Sequence, residues 1–289
     1  MSKNIAIIGS GHIARDLYRK IKNDNLLNLY LVAGRNHLSD GMVEAKSFSK
    51  YVSDQGIMEV QNKSKYINLA IDCSSAESHI KHSEILSKLN LPVIDLTPSG
   101  IGTKIVPTFN ISDSINCKNI NLISCGGQSS IPILHSWHSF LSKQKIKLKY
   151  VEIASTISSK SAGIATRRNI DSYIENTENS IHEFFDCEAK VILNINPAQP
   201  PITMKTSISL LIEDREIHFP DLIKITKKAE KAIQEYVPGF RILVKPRLID
   251  RTRLFTSAEI KGRGDYLPSY SGNLDIITSA AIEVAKIIR

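Results

Sequence analysis

Cys125 is the residue of this chain whose type and surroundings best suit covalent chemistry. It lies in Ser124-Cys125-Gly126-Gly127-Gln128, between a strand predicted at 120–124 and a helix expected to begin near Pro132. A helix N-terminus lowers the pKa of a nearby thiol, and its free amides stabilise an oxyanion. The glycines leave room for a substrate. We therefore predict that Cys125 is a nucleophile. The other cysteines are expected to be inert, namely Cys73, Cys117 and Cys187. The spacing of the four cysteines does not match a metal site.

A glycine-rich turn follows the first apolar run of the chain. Gly9-Ser10-Gly11-His12-Ile13-Ala14 comes directly after Ile5–Ile8 and opens a predicted helix. Glycines permit the tight turn and let backbone amides approach a pyrophosphate at the positive end of the helix. Because the motif lies between a buried strand and a helix, it predicts a dinucleotide site. The contacts are expected from Gly9, Ser10, Gly11, His12 and Ile13.

The second predicted strand ends without the acidic residue that binds the ribose of NAD. Gly34-Arg35-Asn36 stands there instead. Arg35 is either a partner for the 2′-phosphate of NADP or a surface arginine without a cofactor contact.

The histidines show no pattern typical of a metal centre or a catalytic triad. His79 and His82 lie three residues apart on a predicted helix, as do His135 and His138. We interpret both pairs as ordinary helix-face residues. The sequence therefore predicts no metal site and argues against a serine hydrolase.

Composition and element order predict two domains. The chain has 289 residues, 42% of them hydrophobic and 23% charged, with a net charge of +8 spread along the sequence. Short apolar strands alternate with helices up to residue 124, which is typical of a parallel sheet. Longer alternating runs follow, and they predict an antiparallel sheet flanked by helices. We expect an α/β fold with a Rossmann-type domain at 1–127, a second α+β domain at 128–273 and a C-terminal helix at 274–289 that packs on the first domain.

The motifs together resemble the CoA-acylating acetaldehyde dehydrogenases, the usual partners of a 4-hydroxy-2-oxovalerate aldolase in aromatic hydrocarbon catabolism. The resemblance runs in order through most of the chain. It is carried by Ala6-Ile7-Ile8-Gly9-Ser10-Gly11, Ser39-Asp40-Gly41, Ile94-Asp95-Leu96-Thr97-Pro98, Cys125-Gly126-Gly127-Gln128, Ile131-Pro132, Ser158-Ser159-Lys160-Ser161-Ala162-Gly163, Asn169-Ile170-Asp171, Asn196-Pro197-Ala198, Tyr266-Leu267-Pro268 and Gly272-Asn273-Leu274-Asp275.

The resemblance implies a glyceraldehyde-phosphate-dehydrogenase-like fold with a substrate and dimerisation domain. It implies that Cys125 carries an acyl thioester, that Asn169 holds the thiohemiacetal oxygen or the nicotinamide, and that coenzyme A is a co-substrate. It also implies cofactor contacts from Ser161, Ala162, Gly163, Ile164, Ala165, Thr166, Arg167, Arg168, Asn169 and Asn273.

Three departures from the family pattern bear on the reaction. Lys205-Thr206 replaces a usual Arg-Asp pair whose carboxylate is thought to be a base, and a threonine is no carboxylate base. Ile164-Ala165 replaces a usual Pro-Gly, and Asn36 replaces a common acidic residue. The resemblance implies NAD as cofactor. NADP is an alternative because Asn36 replaces the acidic residue and follows Arg35.

Three functions remain open from the sequence. The first is oxidation of acetaldehyde, or a similar short aldehyde, to acyl-CoA. The second is NADPH-dependent reduction of an acyl thioester in biosynthesis, and the third is a nucleotide-binding partner subunit with weak activity. We expect a cytoplasmic homodimer or larger oligomer without a membrane or nucleic-acid partner, and edge strands near Leu148 and Phe255.

Overall fold

A seven-stranded parallel sheet forms the first half of the computed structural model, which describes residues 2–288. Its order is β3-β2-β1-β4-β5-β7-β6, and every pairing is parallel. The strands are β1 (Lys3–Ile8), β2 (Leu27–Ala33), β3 (Tyr51–Ser53), β4 (Leu69–Asp72), β5 (Val93–Asp95), β6 (Thr103–Lys104) and β7 (Asn119–Asn121).

Helices connect these strands and cover the sheet. They are α1 (His12–Lys22), α2 (Asp40–Ala45), α3 (Ile57–Asn62), α4 (Ala76–Lys88) and α5 (Pro107–Asn110). Continuous apolar strands such as Ile5–Ile8 are buried, because helices close off the sheet from solvent. The predicted Rossmann-type sheet is therefore confirmed.

The second sheet has five strands in the order β11-β12-β10-β8-β9. These strands are β8 (Leu148–Ser158), β9 (Glu188–Asn196), β10 (Met204–Ile212), β11 (Phe240–Leu248) and β12 (Arg253–Ile260). The remaining helices are α6 (Cys125–Lys143), α7 (Ile164–Arg168), α8 (Ile170–Phe185), α9 (Phe219–Gln234) and α10 (Gly272–Ile287).

Two predictions about this sheet were wrong. The sheet is mixed, because α7 and α8 return the chain so that β9 pairs parallel with β8. The strands at Leu148 and Phe255 are interior, and the edges are β9 and β11. Alternation along a strand reports which face is buried, and it does not report the neighbouring strand.

The last helix, α10, packs against α1 and β5 of the first half of the chain. The Lys3 ammonium donates to the backbone oxygens of Ala285 and Lys286 at 2.9 and 3.0 Å, near the negative end of α10. Within residues 2–288, no helix combines the length and the apolar character needed to cross a membrane.

Candidate active site

A cleft at the carboxyl edge of the parallel sheet contains Cys125. The loop after β4 (73–75), the loop after β5 (96–98) and the start of α6 form one part of its lining. Ile13 from α1, the segment 165–169 and Asn273 from α10 form the other part. The fold thus brings residues from several separate predicted motifs into one cleft. Ligands of open parallel sheets bind at this edge.

Cys125 is the first residue of α6, so the helix begins seven residues earlier than predicted. Ser124 caps it, and its hydroxyl oxygen accepts a hydrogen bond from the Gly127 amide at 2.9 Å. Pro132 lies inside the helix and not in its first turn. Proline removes one hydrogen bond of a helix ladder, and here the buried flanking turns keep the helix continuous.

The turn that presents Cys125 has a strained backbone. Ile123 has φ of 65°, in the left-handed region that β-branched residues avoid. Three hydrogen bonds hold it there. The Ile123 amide donates to the Asn121 side chain at 2.8 Å, and the Asn176 amide group donates to both Asn121 Oδ1 and the Ile123 carbonyl at 3.0 Å. Such strain persists where the surroundings enforce it, as at functional turns.

The surroundings of Cys125 raise the pKa of its thiol, contrary to the prediction of a lowered pKa. Burial raises its pKa to about 11, and the hydrogen-bond contacts with the Tyr173 hydroxyl and the Gly126 amide oppose that rise only in part. The sequence places the cysteine at a helix N-terminus correctly. It does not show the apolar wall around the sulfur, which includes Ile123 and Leu96.

The glycine-rich turn adopts the conformation that its residues predict. Gly9 has φ of +117°, and an added Cβ would lie 2.9 Å from the Cys73 carbonyl oxygen. The start of α2 presses on the same turn, because a Cβ on Gly41 would lie 1.9 Å from the Ser10 carbonyl oxygen. His12 Nδ1 lies 3.2 Å from the Tyr266 hydroxyl.

The segment 161–169 lies beside this turn. A Cβ on Gly163 would lie 3.1 Å from the His12 ring, so two predicted cofactor motifs are neighbours. Ala165, Thr166 and Asn169 line the cleft. The remaining predicted residues of this segment do not line it: Ser161 and Ala162 are buried behind it, Ile164 and Arg168 are exposed, and Arg167 bonds back to Ser159 and Ala162.

The side chain of Asn169 is hydrogen-bonded within its own turn. Its amide group donates to the Ala165 carbonyl at 2.6 Å, within the preceding turn. Among residues 2–288, the side-chain oxygen of Asn169 has no hydrogen-bond partner, and the residue lines the cleft.

Two cleft residues carry buried side-chain oxygens that the described part of the protein leaves without a partner. Asn273 Oδ1 and Thr97 Oγ1 are buried, and neither has a hydrogen-bond partner among residues 2–288. Both residues line the cleft that contains Cys125. Unpaired buried acceptors are costly, and an amide group of a bound ligand would satisfy them. The residues present therefore fit a nicotinamide dinucleotide.

Arg35 is exposed directly after β2 and does not line the cleft. Its position at the carboxyl end of β2 is where the adenosine ribose of a dinucleotide binds in this type of sheet.

A buried histidine organises the loops behind the cleft. His79 lies between two carboxylates at the ends of β4 and β5, with Nδ1 2.9 Å from Asp72 and Nε2 3.6 Å from Asp95. Asp72 also accepts from Ser74, and Asp95 accepts from the Thr97 amide. The interpretation of His79 and His82 as ordinary helix-face residues was therefore wrong, since both bond to Asp72. His135 and His138 do lie on a helix face, beside Phe109 and Phe185.

Tyr173 is a cleft residue that the sequence did not indicate. Its hydroxyl lies 3.9 Å from the Cys125 sulfur, and the residue is buried in α8. A lone tyrosine in an amphipathic helix is typical of a core residue, and only the position of α6 against α8 reveals the contact.

The sequence comparisons agree with this geometry. Residues 125–268 match the family model described as prokaryotic acetaldehyde dehydrogenase, dimerisation. The chain is 38% identical over 288 residues to an acetaldehyde dehydrogenase of Geobacillus stearothermophilus, covering 99% of this chain and 96% of that one. It is 39% identical to an acetaldehyde dehydrogenase of Pectobacterium atrosepticum, covering 98% and 95%.

Solved structures show the same fold at much lower identity. Aspartate semialdehyde dehydrogenase II from Vibrio cholerae, complexed with ASA, has a TM-score of 0.66 at 10% identity, covering 99% of this chain and 98% of that one. The Candida albicans aspartate semialdehyde dehydrogenase with NADP has a TM-score of 0.65 at 9% identity, covering 99% and 100%. These likenesses support the predicted glyceraldehyde-phosphate-dehydrogenase-like fold. With its whole length matched at this level of identity, the chain belongs to the acetaldehyde dehydrogenase family.

Proposed function

We propose that this protein is a CoA-acylating aldehyde dehydrogenase, which oxidises acetaldehyde or a similar short aldehyde to acyl-CoA through a thioester on Cys125. The observation that carries the proposal is the position of Cys125. Its sulfur lies at the N-terminus of α6, in a cleft shared with Ile13 of the glycine-rich helix and with Asn273. Nucleophile and dinucleotide motif therefore meet at one place.

The chain's own residues account for the covalent steps. The Cys125 thiolate attacks the carbonyl carbon of the aldehyde at the positive end of the α6 dipole, which would stabilise the oxygen that becomes negative. A bound nicotinamide ring supplies the acceptor for the hydride. The thiol of coenzyme A releases its proton to solvent, its sulfur attacks the thioester carbon, and the carbon–sulfur bond to Cys125 breaks to give acyl-CoA and the Cys125 thiolate. Asn169, from the edge of the cleft, would hold the oxygen of the bound aldehyde once its side chain turns from Ala165.

The remaining cofactor contacts belong to the proposal. Gly9, Ser10, Gly11 and His12 would face the pyrophosphate. The segment 161–169 and Asn273 would hold the nicotinamide half. Exposed Arg35 would lie near the adenosine ribose, where it accommodates NADP as well as NAD.

A second function is favoured by Thr206. It replaces the expected carboxylate, and deprotonation of coenzyme A therefore lacks that base. Reduction of an acyl thioester with NADPH needs no such base. A nucleotide-binding partner subunit with weak activity is the third alternative.

We also propose the division of the chain into 1–127 with 274–289 and 128–273, and a homodimer formed through the second unit. The family description of residues 125–268 as a dimerisation region supports this assembly. An aldolase is the partner that the family pattern suggests. The four cysteines are free, which suits the reducing cytoplasm.

Absorbance of the reduced cofactor distinguishes these functions. Purified protein is given acetaldehyde and coenzyme A with NAD or NADP, and acyl-CoA with NADH or NADPH. Coenzyme-A-dependent reduction of NAD supports the first function, and activity confined to acyl-CoA with NADPH supports the second. Cys125→Ala should abolish turnover in either case, whereas the matched change Cys117→Ala, outside the cleft, should leave it unchanged. No turnover in all four mixtures would favour the partner subunit.

A further inference from the structure

The cleft around Cys125 offers no ordinary base for its thiol. None of the described residues that line the cleft has a carboxylate, an imidazole or a cationic side chain. Thr206, at the position of the expected carboxylate, is fully buried in β10. Its hydroxyl lies 2.8 Å from Ser129 Oγ and 3.1 Å from Ser155 Oγ. A neutral hydroxyl cluster therefore takes the place of a charged group.

The Tyr173 hydroxyl joins this cluster to the sulfur. It lies 3.9 Å from Cys125 Sγ. A Cβ on Gly126 would lie 2.1 Å from that hydroxyl and 2.9 Å from Ser155 Oγ, so both oxygens lie over the same Cα. Gly126 thus leaves the space in which the phenol reaches the nucleophile. The Tyr173 hydroxyl is also hydrogen-bonded to Ser155 and to Ser124. Contacts therefore run from Cys125 through Tyr173, Ser155 and Thr206 to Ser129.

The hydroxyl groups in this row of contacts can be oriented in two ways. In the first, the thiol donates to Tyr173, each hydroxyl donates to the next, and Ser129 donates to the Gly126 carbonyl at 2.9 Å. In the second, every hydroxyl is reversed and Tyr173 donates to the sulfur. The Gly126 carbonyl stays satisfied in both, because Ser130 also donates to it at 2.7 Å. The reversal therefore leaves no buried carbonyl unpaired.

We propose that the Tyr173 hydroxyl, oriented through Ser155 and Thr206, is the donor that holds the Cys125 sulfur in its anionic form for attack. The inference rests on the proposed role of Cys125 as nucleophile. The thiol proton leaves to water in the cleft, and the four hydroxyls rotate without exchanging protons. A thiolate accepts hydrogen bonds only, so the reversed direction stabilises it.

Threonine suits this role better than an acidic residue would. An aspartate at position 206 is an acceptor only, and it would keep the Ser129 and Ser155 hydroxyls pointed at itself. Tyr173 would then donate to Ser155 and not to the sulfur. The hydroxyl of Thr206 both donates and accepts, which permits the reversal.

Alkylation of Cys125 across pH tests the inference without requiring turnover. Protein without substrates is treated with iodoacetamide, and peptide mass spectrometry gives the rate at Cys125, with half-buried Cys117 as the internal reference. Tyr173→Phe should slow alkylation of Cys125 at neutral pH by about tenfold and move its pH profile to more alkaline pH, since a hydrogen bond to a charged group is lost. Thr206→Val should act in the same direction with a smaller effect.

The matched control is Tyr18→Phe, which removes a buried phenol hydroxyl that has no partner among residues 2–288. It should leave the alkylation profile unchanged. The inference is overturned if Tyr173→Phe alkylates Cys125 as fast as the parent or faster, because loss of a purely shielding hydroxyl opens the site. Turnover by Cys125→Ala would instead refute the proposed function, so the two failures are distinguishable.

Discussion

Replacement of Lys20 by methionine should destabilise the protein strongly, because Lys20 compensates three carboxylates where α1 meets α10. Its ammonium lies 2.7 Å from Asp16, 2.8 Å from Asp265 and 2.8 Å from Asp275. The side chains of Lys20, Asp16 and Asp275 are 4%, 4% and 3% exposed. These carboxylates raise the pKa of Lys20 despite its burial. Its stabilising charge is therefore present throughout the neutral range and is lost only in strong alkali.

Lys20→Met removes the only cation that contacts all three carboxylates in the described structure and leaves two of them buried. Breaking a buried ion pair by removing one partner costs about 3–5 kcal/mol, and we expect a loss in this range. Urea unfolding at pH 7, followed by fluorescence of Trp137, measures it. Lys22→Met on the exposed side of the same helix is the matched control and should change the free energy of unfolding by less than about 0.5 kcal/mol. A loss below about 1 kcal/mol for Lys20→Met would show that the three carboxylates do not depend on this cation.

Three further changes test other parts of the site. Gly41→Ala should raise the dissociation constant of the dinucleotide about tenfold in a fluorescence titration, because its methyl group must displace the Ser10 carbonyl; unchanged affinity would contradict this. Gly126→Ala should push Tyr173 from the sulfur and lower turnover while dinucleotide affinity stays at the parent value; loss of both would point to general misfolding. His79→Leu should lower the midpoint of thermal unfolding more at pH 6 than at pH 9. The two carboxylates raise the pKa of His79, so its charged form stabilises the fold at low pH and is lost as pH rises; an equal loss at both values would contradict this.

The sequence predicted most of the parallel sheet because each of its main strands is marked by a short apolar segment. Each of β1, β2, β4 and β5 is a short apolar run with both faces covered, which is visible in the chain itself. The edge strands β3 and β6 were missed because they are only three and two residues long and lack a fully apolar run. The parallel pairing of β9 with β8 was missed because it depends on where α8 returns the chain.

The sequence predicted the site residues that lie in turns with a recognisable motif. It did not predict those that reach the site through the packing of helices. Gly9 and Cys125 sit in recognisable turns, and both were assigned correctly to strand-to-helix junctions. Tyr173 and His79 became recognisable only when α8 and α4 had been placed, since neither has a local signature. The pKa of Cys125 depends on burial by distant segments, and that burial reverses the effect expected from the helix N-terminus.

Direct detection of an acyl group on Cys125 tests the central claim. Purified protein is mixed with acetaldehyde and NAD without coenzyme A, quenched in acid, digested and analysed by mass spectrometry. We predict one acetyl group on the peptide that contains Cys125, its loss when coenzyme A is added before the quench, and an unmodified Cys117 peptide. Formation of acetyl-CoA by a protein whose Cys125 peptide never carries the acetyl group, or by the Cys125→Ala variant, would contradict it.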